Sequence, residues 1–476
     1  MGIRVTRVRG LAGVWCSDLI ATAPLPDICY STEIAYELTQ YRISGEGAGE
    51  IAASIERGIA TGELRPGEAL PAVRSLAAGL GVSPTTVAAA FKGLRSRGLV
   101  VTRARSGAQV SWRPPLGATL LGASVPEGAR DLASGNPDPE LLPDLTPVLH
   151  RIEPPRQLYG GDPADPGLLE LARLELERDG IPAEHLAVVS GALDGIERAL
   201  EAQLRPGDVV AVEDPGFAGL FHLLRALGYA LRPVAIDARG MVPAALAEAL
   251  EQGAAAVVLN PRGQNPTGAS LDSGRAAALR GVLDRYPDAM VVEDDHLGPI
   301  AGAPRLSLTG GRSRWTAARS LAKSLGPDLR LAVLAGDAET ISRVRGRQAV
   351  GPGWVSHLLQ RTAVMLWEDE KVTRGLERAA TAYGERRDAF VGALAEHGIE
   401  VESPAGLNVW IPVPDETAVV QALLADGWAV MSGAPFRLQA APAIRVTTSS
   451  LKPAESPVLA AAITRTLEPS HRTRSA

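Results

Sequence analysis

Lysine is so scarce in this chain that each one invites a reason: only Lys92, Lys323, Lys371 and Lys452 occur, arginine having displaced it elsewhere. Lys323 lies in Ser320-Leu-Ala-Lys323-Ser-Leu-Gly-Pro-Asp-Leu-Arg330, where a hydroxyl, an amine and a guanidinium fall in one short segment beside an apolar run. Burying an ammonium is costly unless it is paired or used chemically, and condensation with a carbonyl to a Schiff base is one such use. Ser-x-x-Lys also opens the acylating site of penicillin-binding enzymes, but the Ser-Asp-Asn and Lys-Thr-Gly that should accompany it do not occur. Other polar groups gather in Glu213-Asp-Pro-Gly-Phe217, Pro261-Arg-Gly-Gln-Asn265-Pro-Thr-Gly268 and Glu293-Asp-Asp-His296.

The elements around these residues read as α/β. Short apolar runs at Val209–Val212, Ala255–Leu259, Met290–Val292 and Leu331–Leu334 alternate with longer helical patterns, which predicts a mainly parallel sheet. Ligands in such sheets collect beyond the carboxyl ends of the strands. Glu213-Asp214, Asn260 and Glu293-Asp294 follow the runs directly, so a site is expected there.

The N-terminal part has a different grammar. Ile51, Ile55 and Ile59 share a helical stripe ended by Gly62 and the Arg65-Pro66-Gly67 turn. Pro71 suits the first position of a second helix carrying Val73, Leu76, Ala77 and Leu80 as far as Gly81. Ser83 can cap a third, with Pro84 at its start and Val87, Ala90, Phe91 and Leu94 along one face to Gly98. Leu99–Thr102 and Ala108–Trp112 read as strands, with Arg103, Arg105, Ser106 and Gly107 in the hairpin between them. From Leu70 to Arg113 the charged residues are all basic, although the chain as a whole carries a net charge of −6. Helix, helix, tight turn, helix and basic hairpin together describe a winged helix-turn-helix, for which a local positive field has a mechanical reason.

A length of 476 residues allows roughly two to four domains. The expected division is an extension over 1–45, the DNA-binding unit over 46–112, a Pro-rich linker over 113–130 containing Pro114 and Pro115, the α/β unit over 131–469 and a tail over 470–476. No run reaches the ~18 apolar residues of a membrane helix, and Leu11–Trp15 is too short for a signal segment, so a cytoplasmic address is expected. Cys16 and Cys29 are the only cysteines and both precede the folded units, which argues against a disulfide framework or a thiolate metal site, and no metal is expected.

Gly62-Glu-Leu-Arg-Pro-Gly-Glu-Ala-Leu-Pro71, Arg74-Ser-Leu-Ala77, Leu80-Gly-Val-Ser83 and Thr85-Thr-Val87 resemble the DNA-binding head of the GntR family. The resemblance implies that Arg74, Ser83, Thr85 and Thr86 meet phosphates and base edges of a double-stranded operator, with Arg103 and Gly107 of the wing near the minor groove. Relatives often carry recognition-helix arginines where this chain has Pro84 and Ala88, which removes one guanine-reading fork.

Asn265-Pro-Thr-Gly268, Glu293-Asp-Asp-His296 and the Lys323 segment, in that order, resemble a fold-type-I aminotransferase from about Asp131 to Leu467, which implies a large α/β domain and a smaller C-terminal α+β subdomain formed mainly by the segment after about Thr373. The likeness implies pyridoxal phosphate, which needs an amine for its aldehyde, an anion at its pyridinium nitrogen and donors for its phosphate. By that likeness Lys323 supplies the Schiff base, Asp294 faces the ring nitrogen, Asn265 the phenolic oxygen and Phe217 the ring face. The N–H groups of Gly191, Ala192 and Leu193, with Ser320 and Arg330, would hold the phosphate. Tyr159, in Tyr159-Gly-Gly-Asp-Pro163, would reach the site of a partner in a homodimer, and Arg445 would clamp an α-carboxylate. His296 stands where relatives place a tyrosine and Ala322 where many have serine; His296 is a further candidate for cofactor contact, whereas Glu293 and Asp295 are read as structural. A GntR-type head on such a body is similar to the MocR/GabR regulators, implying a transcription regulator that senses pyridoxal phosphate or a small amino compound. An active aminotransferase with an accessory head, or a body used only for dimerisation, are the competing readings.

Overall fold

The apolar stripes of the N-terminal unit become the inner faces of three helices in the computed structural model: α1 (Ala48–Ala60), α2 (Val73–Leu80) and α3 (Pro84–Ser96). The described residues are 41–467 apart from 61–62, 65–66, 97–98, 104–106, 112–124, 154–155 and 157. Positions 1–40 of the expected extension, most of the linker, the Arg105 and Ser106 wing tip and the tail therefore lie outside them. Ile51, Ile55, Val87, Phe91 and Leu94 close a core with Val100 and Val110 of the wing strands β1 (Val100–Arg103) and β2 (Gly107–Val110). Gly81 ends α2 at φ 70°, a left-handed turn that glycine adopts without a Cβ clash.

Two boundaries differ from the sequence reading. Pro71 does not open α2, because the chain before it is extended: Ala69 bridges Gln109 and the Leu70 N–H donates to the Ala108 carbonyl at 2.8 Å. The helix starts two residues later, at Val73. Arg103 and Gly107 are not hairpin loop residues either; they form the last pair of the β1–β2 ladder.

In the second unit the strands are β3 (Arg130–Asp131), β4 (Leu186–Val189), β5 (Val209–Asp214), β6 (Ala230–Asp237), β7 (Gly240–Met241), β8 (Ala254–Leu259), β9 (Met290–Asp295), β10 (Trp315–Ser320) and β11 (Ala332–Gly336). The large sheet has the order β4-β11-β10-β9-β8-β5-β6-β7, parallel except for β11 and β7. Successive residues of a strand alternate between faces. Accordingly Leu186, Val188, Val257 and Val291 enter one core, whereas Ala187, Val189, Val258 and Val292 enter the other. A sheet apolar on both faces needs helices on both, which the intervening helical segments provide. The strands also run further than their apolar cores: Glu213, Asp214, Asp294 and Asp295 are still paired in the ladder, because their parallel neighbours continue alongside. The acids thus sit on the rigid carboxyl edge of the sheet rather than in loops after it.

The smaller subdomain holds β12 (Asn408–Pro412), β13 (Trp428–Ala429), β14 (Met431–Ser432) and β15 (Ala443–Thr447), with the long helix Glu370–Glu396 and the helices Glu416–Ala425 and Ser456–Leu467. It is not built from C-terminal sequence alone. β3 pairs in parallel with β13, and fully buried Leu132 joins the core of Phe390, Val409, Ile444 and Ile463. No helix among the described residues is long and apolar enough to cross a membrane.

Candidate functional site

Lys323 is presented by a single helical turn, Ala322–Leu325, that follows Ser320 at the end of β10. Its ammonium donates to the Gly135 carbonyl oxygen. Burial and then the Arg445 charge lower its pKa to about 8, so the neutral, nucleophilic amine is accessible near neutrality. The rate of aldehyde capture is accordingly expected to rise with pH up to about 8 and level off beyond it, where an unperturbed lysine would keep climbing toward its own value near 10.5. Stopped-flow absorbance across that range reads the profile, and a curve still rising at pH 10 would contradict the assignment.

The neighbouring acids of β9 differ in kind. Asp295 is fully buried among Arg262, Arg305 and Arg319; burial alone would raise its pKa, but the three guanidiniums outweigh that and hold it well below the usual carboxylate range. Glu293 accepts from Arg305 at 2.7 Å and from Ser307. Both are occupied structurally. Asp294 makes no ion pair among the described residues: burial and then the Asp295 charge push it up to about 7 against the weaker opposing pull of Asn260 and Arg305, and its Oδ1 is buried with no hydrogen-bond partner.

Asn260, at the edge of β8, donates from Nδ2 to the Asp294 carbonyl at 2.8 Å and lies 3.3 Å from His296 Nδ1. Burial and then the nearby Lys323 charge lower His296 to about 4, so its imidazole is neutral at physiological pH. Glu213 completes this floor. It takes the Asn260 N–H at 3.2 Å and Gln264 Nε2 at 3.3 Å, and burial pushes it up to about 8.

On the other side of β10, β4 ends at Val189 and the chain turns through Ser190 and Gly191 into the helix Ala192–Gln203. Gly191 has φ 98°, and a Cβ there would lie 3.4 Å from the Arg330 guanidinium. Arg330 itself has φ 45°, the only non-glycine with positive φ among the described residues, and a left-handed arginine is retained where a site needs it. Gly191, Ala192 and Leu193 at the start of that helix thus lie beside the Arg330 side chain, with the Asp194 carboxylate accepting the Ser190 N–H at 2.9 Å; a helix start next to a guanidinium is an arrangement that can take an anion. Ser320 Oγ accepts the Ala322 N–H at 3.3 Å, near the same edge.

Asn265 Oδ1 accepts from Arg445 Nη1 at 3.3 Å and from Asn408 Nδ2 at 3.5 Å, which leaves its own amide N–H groups for another partner. Arg445, buried on β15, has its guanidinium 4.7 Å from the centre of the Phe436 ring, and burial lowers it to about 10. Phe217 is half-buried at the start of the helix Ala218–Ala226. Tyr159 stands apart from this group: it is 94% exposed and meets Trp354 edge-on at 5.6 Å.

In the head, Ser83 Oγ lies 2.7 Å from both Thr85 Oγ1 and Thr86 Oγ1 and accepts the Thr86 N–H, so three hydroxyls cluster at the start of α3. Arg74 is exposed on α2 and Gly107 exposed on the wing; the side chain of Arg103 lies outside the described residues.

Pyridoxal phosphate fits this arrangement. A protonated ring nitrogen would supply the ion-pair partner that Asp294 lacks among the described residues, an aldehyde would find an amine of lowered pKa, and a phosphate would find the helix start beside Arg330. Two contributors escaped the sequence reading in their roles: Asn260, named there only as a polar strand-end residue, and the carbonyls of Ala133 and Gly135, which hold Arg445 and Lys323. A Ser-Gly-Asn-Pro turn was the only signal for the latter.

The profile of bacterial regulatory proteins of the gntR family matches residues 48–110, and that of aminotransferase class I and II matches residues 170–463. The vitamin B6 salvage pathway transcriptional repressor PtsJ of Salmonella typhimurium is 40% identical over 89% of this chain and 99% of its own. The HTH-type transcriptional regulator TauR of Rhodobacter capsulatus is 29% identical over 87% of this chain and 95% of its own. Among solved structures, LysN, an α-aminoadipate aminotransferase from Thermus thermophilus, shares the fold with TM-score 0.64 at 23% identity over 75% of this chain and 98% of its own.

Proposed function

From the premise that this chain belongs to the MocR/GabR-type regulators, a GntR-family head joined to a class I and II aminotransferase domain, we propose that it is a transcription regulator whose body senses pyridoxal phosphate. The observation that carries the regulator reading is continuity: the likeness to a vitamin B6 salvage repressor spans head and body together. Intact site chemistry supports the sensing part.

Bound there, the cofactor would supply an aldehyde that takes amines and a ring that withdraws electrons. Asp294 would hold a proton on the ring nitrogen, Asn265 would donate to the phenolic oxygen, and Phe217 would cover the ring face. The Gly191, Ala192 and Leu193 N–H groups, Ser320 and Arg330 would bind the phosphate. Lys323 would capture the aldehyde, and Arg445 would orient the carboxylate of an amino compound. Exposed Tyr159 would be lent to a second copy, giving a homodimer whose paired heads address operator half-sites. The ligand acts by differential affinity for two arrangements, not by turnover.

The test is binding of a DNA fragment from upstream of the protein's own gene, with and without pyridoxal phosphate, beside a multiple-turnover amino-transfer assay. A change in DNA affinity of about fivefold or more is expected, the lower end of ordinary coupling between sites. Arg74→Ala should weaken DNA binding and reduce its salt slope by about one, as loss of one phosphate contact does, while cofactor capture is untouched. Sustained turnover without DNA binding would overturn the proposal.

A further inference from the structure

Lys323 and Arg445 share a neighbour that none of these roles uses, the segment Leu132–Asp138, which bends at Ala133 and Ser134, where Asp131 Oδ1 accepts both N–H groups, and passes through Gly135 at φ 70°. The Lys323 ammonium donates to the Gly135 carbonyl and the Arg445 guanidinium to that of Ala133. Gly135 lies so close that a Cβ there would stand 3.2 Å from Arg445 Nη2. Both ends of the segment are tied elsewhere. Upstream, Leu132 is buried and its N–H donates to the Ala429 carbonyl at 2.9 Å. Downstream, Ser449 Oγ donates to the Asn136 carbonyl at 2.6 Å, and Asp138 is held by Arg386 at 2.8 Å and through its N–H by the Tyr383 hydroxyl at 3.1 Å. The middle carbonyls are thus held by two groups that a ligand would engage. In sequence, the segment continues back through residues 112–124 to the head.

Resting on the function proposed above, we propose that this strap reports occupancy of the site to the chain that leads to the DNA-binding head. When the neutral Lys323 amine condenses with an aldehyde, a carbon–nitrogen double bond forms and both N–H hydrogens leave with the carbonyl oxygen as one water. The Gly135 carbonyl then loses its donor. A carboxylate arriving at Arg445 competes for the same N–H groups that Ala133 accepts, and the second carbonyl is released by the same exchange. One segment therefore answers to both the cofactor and an amino compound, each through a separate hydrogen bond.

Hydrogen exchange followed by mass spectrometry on the full chain tests this, with wild type and Lys323→Ala each measured with and without pyridoxal phosphate while absorbance records capture. Exchange of peptides spanning Leu132–Asp138 is expected to rise about tenfold on capture in wild type, as for a segment losing its local restraints, while peptides from β8 stay unchanged. Lys323→Ala should show the faster exchange already without cofactor and should not respond to it. Capture with an unchanged strap overturns the inference. If no capture occurs, the sensing reading fails by itself, and the strap is judged on the cofactor-free variant: protection equal to wild type sinks it, whereas faster exchange upholds the contact. Lys323→Met, closer in shape, replaces the alanine variant if that one does not fold.

Discussion

Asp295→Ala is expected to destabilise the second unit by about 3–5 kcal/mol, the range for removing one partner of a buried ion pair. Arg262 grips Asp295 with Nε at 3.0 Å and Nη2 at 2.9 Å, Arg319 Nε approaches to 2.7 Å and Arg305 Nε to 3.6 Å. Without the carboxylate, three enclosed guanidiniums face one another with only Glu293, Asp179 and Glu175 left to compensate. The loss should appear as a lower urea midpoint with unchanged slope. Because the folded pKa of Asp295 lies below its unfolded value of 3.8, its contribution is present above about pH 4 and lost as pH falls further, so the variant should also lack that part of the wild type's acid sensitivity.

Asp294, one residue away, predicts the opposite. Its folded pKa is raised from 3.8 to about 7, so the ionised form opposes folding and stability declines as pH rises through that interval. Asp294→Asn removes this cost. At pH 8 the variant should be at least as stable as wild type yet hold cofactor far less well, having no anion for the ring nitrogen. Equal destabilisation by both variants would show that the structural and ligand-facing acids have been confused.

The resemblance already set Asp294 apart from Glu293 and Asp295, but the three guanidiniums that enclose Asp295 were not legible in the sequence. The scarcity of lysine singled out Lys323, and the alternation of short apolar runs with helical patterns gave the parallel sheet, because both are local signals. Ser83 as cap and Gly81 as stop were equally local. Pro71 misled because its neighbours Ala69 and Leu70 are recruited by the wing strand, a pairing about 40 residues distant that no helix-start rule contains. The acids at 213–214 and 293–294 were placed after the strands because polarity ends an apolar run, whereas the ladder ends only where the neighbouring strand does. The Ala133 and Gly135 carbonyls were illegible for a deeper reason. A backbone oxygen has no side-chain identity, and its partners lie 188 residues away or more.

Phe91→Ala tests whether the two halves stand on separate cores. Phe91 is 1% exposed and is packed with Ile51, Ile55, Val87, Leu94, Val100 and Val110, none of which belongs to a cluster of the second unit. Truncating a buried phenylalanine costs about 3–5 kcal/mol. A domain of roughly 65 residues has only about 3–10 kcal/mol to lose, since native stability is on the order of 0.05–0.15 kcal/mol per residue. The head is therefore expected to be largely unfolded, with affinity for the DNA fragment falling about tenfold or more. Trypsin should cut first among the arginines between Arg74 and Arg97, while the absorbance change on adding pyridoxal phosphate persists, because the groups proposed to meet the cofactor all lie outside the head, in the second unit. Simultaneous loss of both activities would mean that the head's core contributes to the stability of the body, and the strap would then be one of several routes between them.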